Sequence, residues 1–203
     1  MRQIVLALAL ALGAVSVANA ATVGAGFDNV GISAGPGLNM TLPGGYLKAR
    51  QDFGPWVASA RFEGAGGENR SDFFGGHAGI GYRFALAGLG YITPSLRMGY
   101  DTLNVPGGNL DAAFAGVHVR YAYAITPVVG LYADGGFGRD FATHVTGLST
   151  IGGLTYEAGG GMDFHVGPGV LDAGYQYQHL PLSSANDLHL NTGQFTIGYG
   201  IHF

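Results

Sequence analysis

Charged side chains in the sequence recur at alternate positions, with apolar residues between them. Arg97 stands between Leu96 and Met98, and a similar spacing surrounds Arg61 and Arg120. Because successive side chains of a β-strand point to opposite faces, such a segment presents one ionic face and one apolar face. The chemistry favoured by this spacing is charge pairing in an enclosed polar interior.

The order of these charges along the chain predicts which of them meet. Bases predominate at interior-facing positions in the first part of the chain, and acids predominate in the last part. If the strands close into a barrel of about eight members, the bore is just wide enough for side chains to fill. The predicted lumen charge network comprises Arg61, Arg83, Arg97, Arg120, Asp134, Glu157, Asp163 and Asp172. The pairs expected to plug the bore at mid-height join two bases to two acids, namely Arg97, Arg120, Asp134 and Glu157.

Histidine and serine side chains could support two other kinds of chemistry, metal binding and hydrolysis. His77 and His118 share the interior-facing parity, but no third ligand has the spacing of a metal site, and the chain contains no cysteine. We therefore predict no metal site and no cofactor. His144, His179 and His189 fall near serines in segments between strands, which leaves a lipid-modifying hydrolase as an alternative. No nucleophile motif accompanies them.

Composition indicates the elements that must position these charges. Charged residues make up 11% of the chain, against about 25% in an ordinary soluble domain. After residue 20, no apolar run approaches the roughly 20 residues of a membrane-spanning helix. A lipid-embedded backbone without such helices satisfies its hydrogen bonds only in a closed β-barrel. The alternative is a glycine-rich soluble β-sandwich.

Segments of alternating polarity recur along the chain and predict an all-β fold, a transmembrane antiparallel up-and-down barrel. We expect ten strands, with eight as the alternative. The first strand, 22–34, is the least regular, because its apolar parity flips between Phe27 and Val30, which implies a bulge or a break. The other predicted strands are 46–53, 56–63, 73–84, 91–101, 111–125, 128–140, 152–166, 170–180 and 190–203. The outer loops are then 35–45, 64–71, 102–110, 141–151 and 181–189.

The two ends of the chain carry export and insertion features. Arg2, an apolar stretch at 4–17 and the small residues Ala18 and Ala20 have the order of a secretory signal peptide. We expect residues 1–20 to be a cleaved signal peptide and 21–203 to be the barrel domain. From Phe195 to Phe203, apolar side chains occupy every second position, as in a lipid-facing strand.

The last strand resembles the C-terminal insertion signal of bacterial outer-membrane barrels at Thr196, Gly198, Ile201 and Phe203. The chain as a whole resembles the small barrels grouped as OmpA-like or OmpX-like. Within that group, the segment 172–177 is similar to the end of YfaZ-type proteins. The resemblance implies a location in the outer membrane of a Gram-negative bacterium, and contact with outer-membrane lipid and lipopolysaccharide. It also implies that periplasmic chaperones bind the exported chain and that the barrel-assembly machinery recognises its last strand.

Functional expectations follow from a barrel without a catalytic motif. We expect a monomer that is not an enzyme, does not bind nucleic acid and has a structural or surface role, with paired charges filling its lumen. The alternative is a narrow pore for small solutes, which requires that the inward charges leave a continuous water path. The lipid-modifying hydrolase remains the third hypothesis. Fold alone does not choose among them.

Overall fold

In the computed structural model, residues 21–34, 38–67, 70–88, 90–147, 152–183 and 188–203 are described. The expected signal peptide, residues 1–20, lies outside them. The strands are β1 (Ala21–Ala34), β2 (Leu38–Phe53), β3 (Trp56–Gly66), β4 (Asp72–Tyr82), β5 (Phe84–Ala85), β6 (Gly90–Val105), β7 (Gly108–Ala124), β8 (Val129–Val145), β9 (Leu154–Val166), β10 (Gly169–Ser183) and β11 (Leu188–His202). In this described part of the chain, no helix is long and apolar enough to cross a membrane.

The strands form one closed antiparallel barrel. β1 pairs with β2 on one side and with β11 on the other, and β4 pairs with β6. The two-residue strand β5 continues along β6 directly after β4 ends, so the wall contains ten long strands. The predicted ten-strand barrel is confirmed. The eight-strand alternative is wrong, because β1 is hydrogen-bonded to a neighbour along both of its edges.

The expected bulge or break in the first strand is absent. The register of β1 against β11 runs without a shift from Thr22 opposite His202 to Ala34 opposite Leu190. Phe27 is 76% exposed on the outer surface, whereas Val30 is 0% exposed inside the barrel. The strand alternates without interruption. The parity changes because apolar residues occupy the outer face up to Phe27 and the inner face from Val30 onward.

The strands also extend beyond the ends predicted for them. β2 begins at Leu38 within the predicted loop 35–45, and β6 and β7 run on until only Pro106 and Gly107 separate them. Gly107 has a φ of 98°, which a Pro-Gly pair at the centre of a tight turn accommodates. These extensions are polar on their outer face, and outward polar residues in strands read as loop residues in the sequence.

Two ends of the barrel are distinguished here by their connections. The terminal rim carries Ala21 and Phe203, whose backbones are hydrogen-bonded to each other, together with the turns at 54–55 and 167–168. The opposite rim carries the other ends of the same strands, including the turn at 106–107. The distribution of polar and apolar side chains between the inner and outer faces differs between these two ends.

The polarity of the wall inverts along the barrel axis. Toward the terminal rim the outer face is apolar and the inner face is polar, as lipid requires. Toward the opposite rim the arrangement is reversed over most of the circumference, and we call this part the collar. On β8, the exposed side chain of Phe141 keeps the outer face apolar. The outward residues of the collar include Asn29, Asn39, Thr41, Asp72, Asn104 and Asn109, and its inward residues include Val30, Leu42, Phe73, Leu103, Leu110 and Leu190.

Exposed aromatic side chains border the apolar belt on both sides. Near the terminal rim, Trp56 contacts Tyr82 edge-on with ring centroids 5.2 Å apart, and Tyr82 lies 4.7 Å from Phe84. Next to the collar, the outward aromatic residues include Phe27, Phe74, Tyr100, Phe137, Tyr156, Tyr175 and Phe195. Two aromatic bands around an apolar belt are typical of membrane-spanning barrels, because amphipathic rings favour the membrane interfaces.

Candidate functional site in the barrel lumen

A cluster of buried apolar side chains lies in the lumen inside the collar, and we call it the seal. The side chains of Val30, Leu180 and Leu190 are 0% exposed, and Leu103 is 1% exposed. Eight of the ten long strands contribute to it in the described residues: Val30, Ile32, Ala34, Leu42, Ala65, Phe73, Leu103, Leu110, Ala112, Phe114, Leu180 and Leu190. Asp140 and Thr155, both buried, stand on the remaining side, on β8 and β9. Side chains from around the circumference thus meet in the bore.

A layer of buried charge lies directly beneath the seal. Arg61 donates from Nε to Oε2 of Glu63 at 2.9 Å, and its Nη2 lies 4.0 Å from Oδ2 of Asp28. The guanidinium also stacks over the ring of Tyr46 at 4.1 Å, while Gln194 donates to Oε1 of Glu63 at 2.5 Å. These contacts offset part of the cost of burying ionic groups. Among the described residues, the two carboxylate oxygens of Asp28 have no hydrogen-bond partner.

A second network crosses the lumen at mid-height. Arg97 donates from Nη1 to Oε2 of Glu157 at 2.6 Å, and Gln176 donates to the same oxygen at 2.9 Å. Nε2 of His118 lies 3.6 Å from Asp134 and 3.8 Å from Glu157. The network therefore joins β6 to β7, β8, β9 and β10 through side chains alone.

A polar cavity of about 490 Å³ occupies the lumen from Arg61 and His77, past this network, to the terminal rim. Lys48 and Tyr46 both donate to Asp172 inside it. Arg120 lies 3.6 Å from Asp163 and stacks over Tyr132 at 3.7 Å. The lining extends to residues at the rim itself, including Thr22, His165 and His202, so the cavity reaches that end of the barrel.

A three-residue ion cluster lies in the cavity close to the rim. Arg83 donates from Nη2 to Asp52 at 2.6 Å, and Arg50 donates from Nε to the other oxygen of Asp52 at 3.0 Å. The Arg83 guanidinium also lies 5.0 Å from the ring of Tyr91. One carboxylate thus holds two guanidinium groups on neighbouring parts of the wall.

All eight members of the predicted charge network lie on the inner face, and the contacts assign them partners. Arg97 contacts Glu157, whereas Arg120 contacts Asp163 rather than Asp134, which lies beside His118. The remaining members pair with residues outside the predicted set: Arg61 with Glu63 and Asp28, Arg83 with Asp52, and Asp172 with Lys48 and Tyr46.

Sequence reasoning missed the buried acids next to the seal. Asp28, Glu63 and Asp101 are inward and buried, although bases alone were expected to predominate in this part of the chain. The parity of Arg61 predicts an inward Glu63, and the parity of Arg97 predicts an inward Asp101. Both residues end predicted strands, 56–63 and 91–101, so applying the alternation to the last residue of each strand would have found them.

The histidines are divided between the lumen and the opposite rim. His77 and His118 both line the cavity. Within the described ranges, no group of three or more His, Cys, Asp or Glu side chains is arranged to hold a metal ion. His179 and His189 lie on the outer face, with ring centroids 5.6 Å apart. Ser149 and Ser184 lie outside the described residues.

The residues of the expected insertion signal lie on the strand that closes the barrel. Thr196 and Gly198 point inward and are buried, whereas Ile201 and Phe203 are exposed on the outer face. At Gly198, an added Cβ would lie 2.1 Å from the hydroxyl of Tyr46 and 2.7 Å from the carbonyl oxygen of Ala25. The glycine therefore leaves room for a luminal tyrosine against the β1–β11 seam.

Comparisons with known proteins identify the fold. No family model and no curated protein matches the sequence. Among solved structures, the β-domain of the Bordetella autotransporter Brka is 14% identical, with a TM-score of 0.53, and covers 91% of this chain and 100% of that chain. Neisserial surface protein A is 13% identical, with a TM-score of 0.47 and coverages of 92% and 100%. Ail, the attachment invasion locus protein of Yersinia pestis, is 17% identical, with a TM-score of 0.42 and coverages of 92% and 100%.

The Brka β-domain shares the barrel fold with this chain at low sequence identity. The apolar outer belt, its two aromatic borders and the closed backbone are the features that a lipid bilayer demands of such a barrel. The chain is therefore a small closed β-barrel with the outer wall of a membrane-spanning barrel.

Proposed function

We propose that this protein is a non-catalytic structural barrel whose lumen is closed to solutes. The terminal rim and the polar cavity face the periplasm, and the collar projects from the outer surface of the membrane. The seal is the single observation that carries the proposal. Its side chains come from eight of the ten long strands and include fully buried Leu180 and Leu190, so they fill the bore from several directions.

The contacts beneath the seal support the same role. The cavity is lined by Arg97 and Arg61, and the ion pairs of these residues with Glu157 and Glu63 oppose the passage of a solute toward the collar. Breaking a buried ion pair leaves an uncompensated charge and costs several kcal/mol. Ionic contacts and the apolar seal therefore both lie between the cavity and the collar.

The narrow pore is the alternative that the cavity favours. The cavity of about 490 Å³ already provides a polar path through the part of the barrel nearest the terminal rim. A pore would require the seal to separate, because none of its apolar side chains lines the cavity in the described residues. A hydrolase has weaker support: Nδ1 of His179 lies 2.6 Å from Oδ1 of Asn191, an amide contact rather than a contact with a hydroxyl nucleophile.

Single-channel recording in planar lipid bilayers tests the closed lumen. We expect the wild-type protein to show no steady conductance. Phe73 and Leu103 face each other across β4 and β6 within the seal, and a Phe73→Ala and Leu103→Ala double variant should introduce conductance. Leu96→Ala removes a lipid-facing side chain that is 65% exposed, and this control should behave like the wild type. A steady ohmic current from the folded wild-type protein would refute the proposal.

We also propose that the last strand is the segment read by the barrel-assembly machinery. Ile201 and Phe203 are exposed on the outer face beside the seam between β1 and β11. Before closure, this strand is the edge that pairs last in chain order. Crosslinking from position 203 during assembly in cells should capture the machinery, whereas crosslinking from outward Phe74 on β4 should capture it less often.

A further inference from the structure

An outward-facing patch lies on the outer wall where the apolar belt meets the collar, across β8 to β11. Phe137 on β8 is opposite Tyr156 on β9, Tyr156 is opposite His179 on β10, and His179 is opposite Asn191 on β11. Directly above Phe137, Arg139 is opposite Leu154. The patch therefore combines a guanidinium, aromatic rings and an imidazole within a short span of the wall.

The rings of this patch are held against each other. Tyr156 and His179 are stacked, with centroids 4.7 Å apart and planes 19° from parallel. His189 adds a second imidazole 5.6 Å from the ring of His179, and Tyr177 lies 6.3 Å from the ring of Tyr156. Nδ1 of His179 is fixed 2.6 Å from Oδ1 of Asn191. The polar edges of these rings are pre-positioned at the level where lipid headgroups begin.

Arg139 differs from the cations of the lumen. In the described strands and their connections, Lys48, Arg50, Arg61, Arg83, Arg97 and Arg120 each lie within 4.0 Å of a carboxylate oxygen. Arg139 is exposed on the outer wall, and no carboxylate among the described residues forms an ion pair with it. An arginine side chain at the border of an apolar belt reaches toward the membrane interface, where it is well placed to pair with an anionic group.

The surroundings of Arg139 indicate what that partner is attached to. Phe137 and Leu154 are 63% and 67% exposed, and Phe141 extends the apolar surface beyond Arg139. Acyl chains cover such a surface, so the anion that reaches the guanidinium belongs to a lipid. Guanidinium groups bind phosphate bidentately. Tyrosine hydroxyls and imidazoles provide hydrogen bonds for sugar hydroxyls beside it.

We propose that Arg139, Tyr156, Tyr177, His179 and His189 form a binding site for a phosphorylated glycolipid headgroup of the outer leaflet, the chemistry of lipopolysaccharide. Arg139 binds a phosphate, and the stacked pair of Tyr156 and His179 contacts the adjacent sugar. This site lies on the outer wall and does not depend on whether the lumen conducts. It goes beyond the proposed structural role by naming a lipid that the wall recognises.

Lipid binding to the mature protein in phosphatidylcholine nanodiscs tests the site, with native mass spectrometry as the readout. We expect the wild type to bind phosphorylated lipopolysaccharide, and Arg139→Gln to bind it at least about tenfold more weakly, because the substitution removes the charge-assisted hydrogen bonds to the phosphate. Arg139→Lys should keep part of the affinity. Arg70→Gln, which removes an exposed guanidinium from the turn before β4, is the matched control and should bind like the wild type.

Heat-dependent migration on electrophoresis gels verifies that each variant is folded. Unchanged lipopolysaccharide binding by folded Arg139→Gln overturns the proposal, and so does equal binding of dephosphorylated lipid by the wild type. Equal occupancy by inorganic phosphate alone would show a free-anion site and overturn the lipid assignment. Bilayer conductance, recorded on the same variants, separates these outcomes from failure of the closed lumen.

Discussion

Phe27 and Val30 lie on one unbroken strand, yet their side chains are on opposite sides of the barrel wall. Phe27 faces lipid at the edge of the belt, and Val30 packs inside the seal. The short distance between them marks the level at which the surroundings of the outer wall change from acyl chains to water. A few residues of β1 therefore contribute both to the lipid-facing belt and to the buried apolar cluster inside the barrel.

Placing a polar side chain at Val30 tests the apolar interior of the collar. Val30→Asn would bury an amide among side chains that offer it no hydrogen bonds, and protein substitutions of this type cost roughly 1 to 3 kcal/mol. The free energy of unfolding in urea, measured with the protein in lipid vesicles, should fall by that amount. Asn29→Ala on the exposed outer face of the same strand should change it by less than about 0.5 kcal/mol. Equal effects of both substitutions would argue against an apolar seal.

Removing the mid-lumen acid should destabilise the barrel. In Glu157→Gln, Arg97 loses a carboxylate partner 2.6 Å away while remaining largely buried, and we expect a loss of about 3 kcal/mol in the free energy of unfolding. The double variant Arg97→Met and Glu157→Leu removes both charges and should recover part of that loss. If the single and double variants were equally unstable, charge pairing would not be the cause.

Glycine at position 198 should be required for packing at the seam. Gly198→Ala places a methyl group against the hydroxyl of Tyr46 and the carbonyl of Ala25, and overpacking of this kind costs roughly 1 to 3 kcal/mol. Gly31→Ala is the matched control on the adjoining strand, because its nearest neighbour would be 3.5 Å away. The fraction of refolded protein, read from heat-dependent gel migration, should fall only for Gly198→Ala.

The ion cluster near the terminal rim should be sensitive to salt. Asp52 holds both Arg50 and Arg83 where these side chains are about a third exposed, so solvent screens the interaction. Asp52→Asn should lower the free energy of unfolding by about 1 kcal/mol or less at low ionic strength. The difference should shrink in 1 M NaCl, where the screening length is about 3 Å. A difference that grows with salt would contradict an ionic contribution.

The barrel itself was predictable, because the alternation of polar and apolar residues recurs in segment after segment of the chain. Each alternating segment, such as the one around Arg97, contributes the same signal, and the closing strand from Phe195 to Phe203 repeats it clearly. The ends of the strands near the collar were not predictable from outward polarity alone. Asn104 and Asn109 lie on strands, but outward polar residues on a strand exposed to water are of the same types as the residues of a loop.

The partners within the lumen depend on information that is not local. Arg120 is in register with Asp134 on the adjacent strand, but its side chain contacts Asp163 on the strand beyond. Which acid a long side chain reaches depends on the tilt and stagger of the closed wall. The apolar seal was missed for a related reason, since an inward Val30 and an outward Phe27 look alike until the strand is placed relative to the membrane.

The collar also constrains how the finished protein enters its membrane. In the proposed orientation, a barrel inserted from the periplasm leads with this end, and its asparagine, threonine and aspartate side chains must traverse the hydrocarbon interior before they reach water on the far side. Unassisted entry should consequently be slow in thick bilayers and faster in short-chain ones. Once that transit is complete, the same polar girdle opposes retreat and holds the protein at a fixed depth.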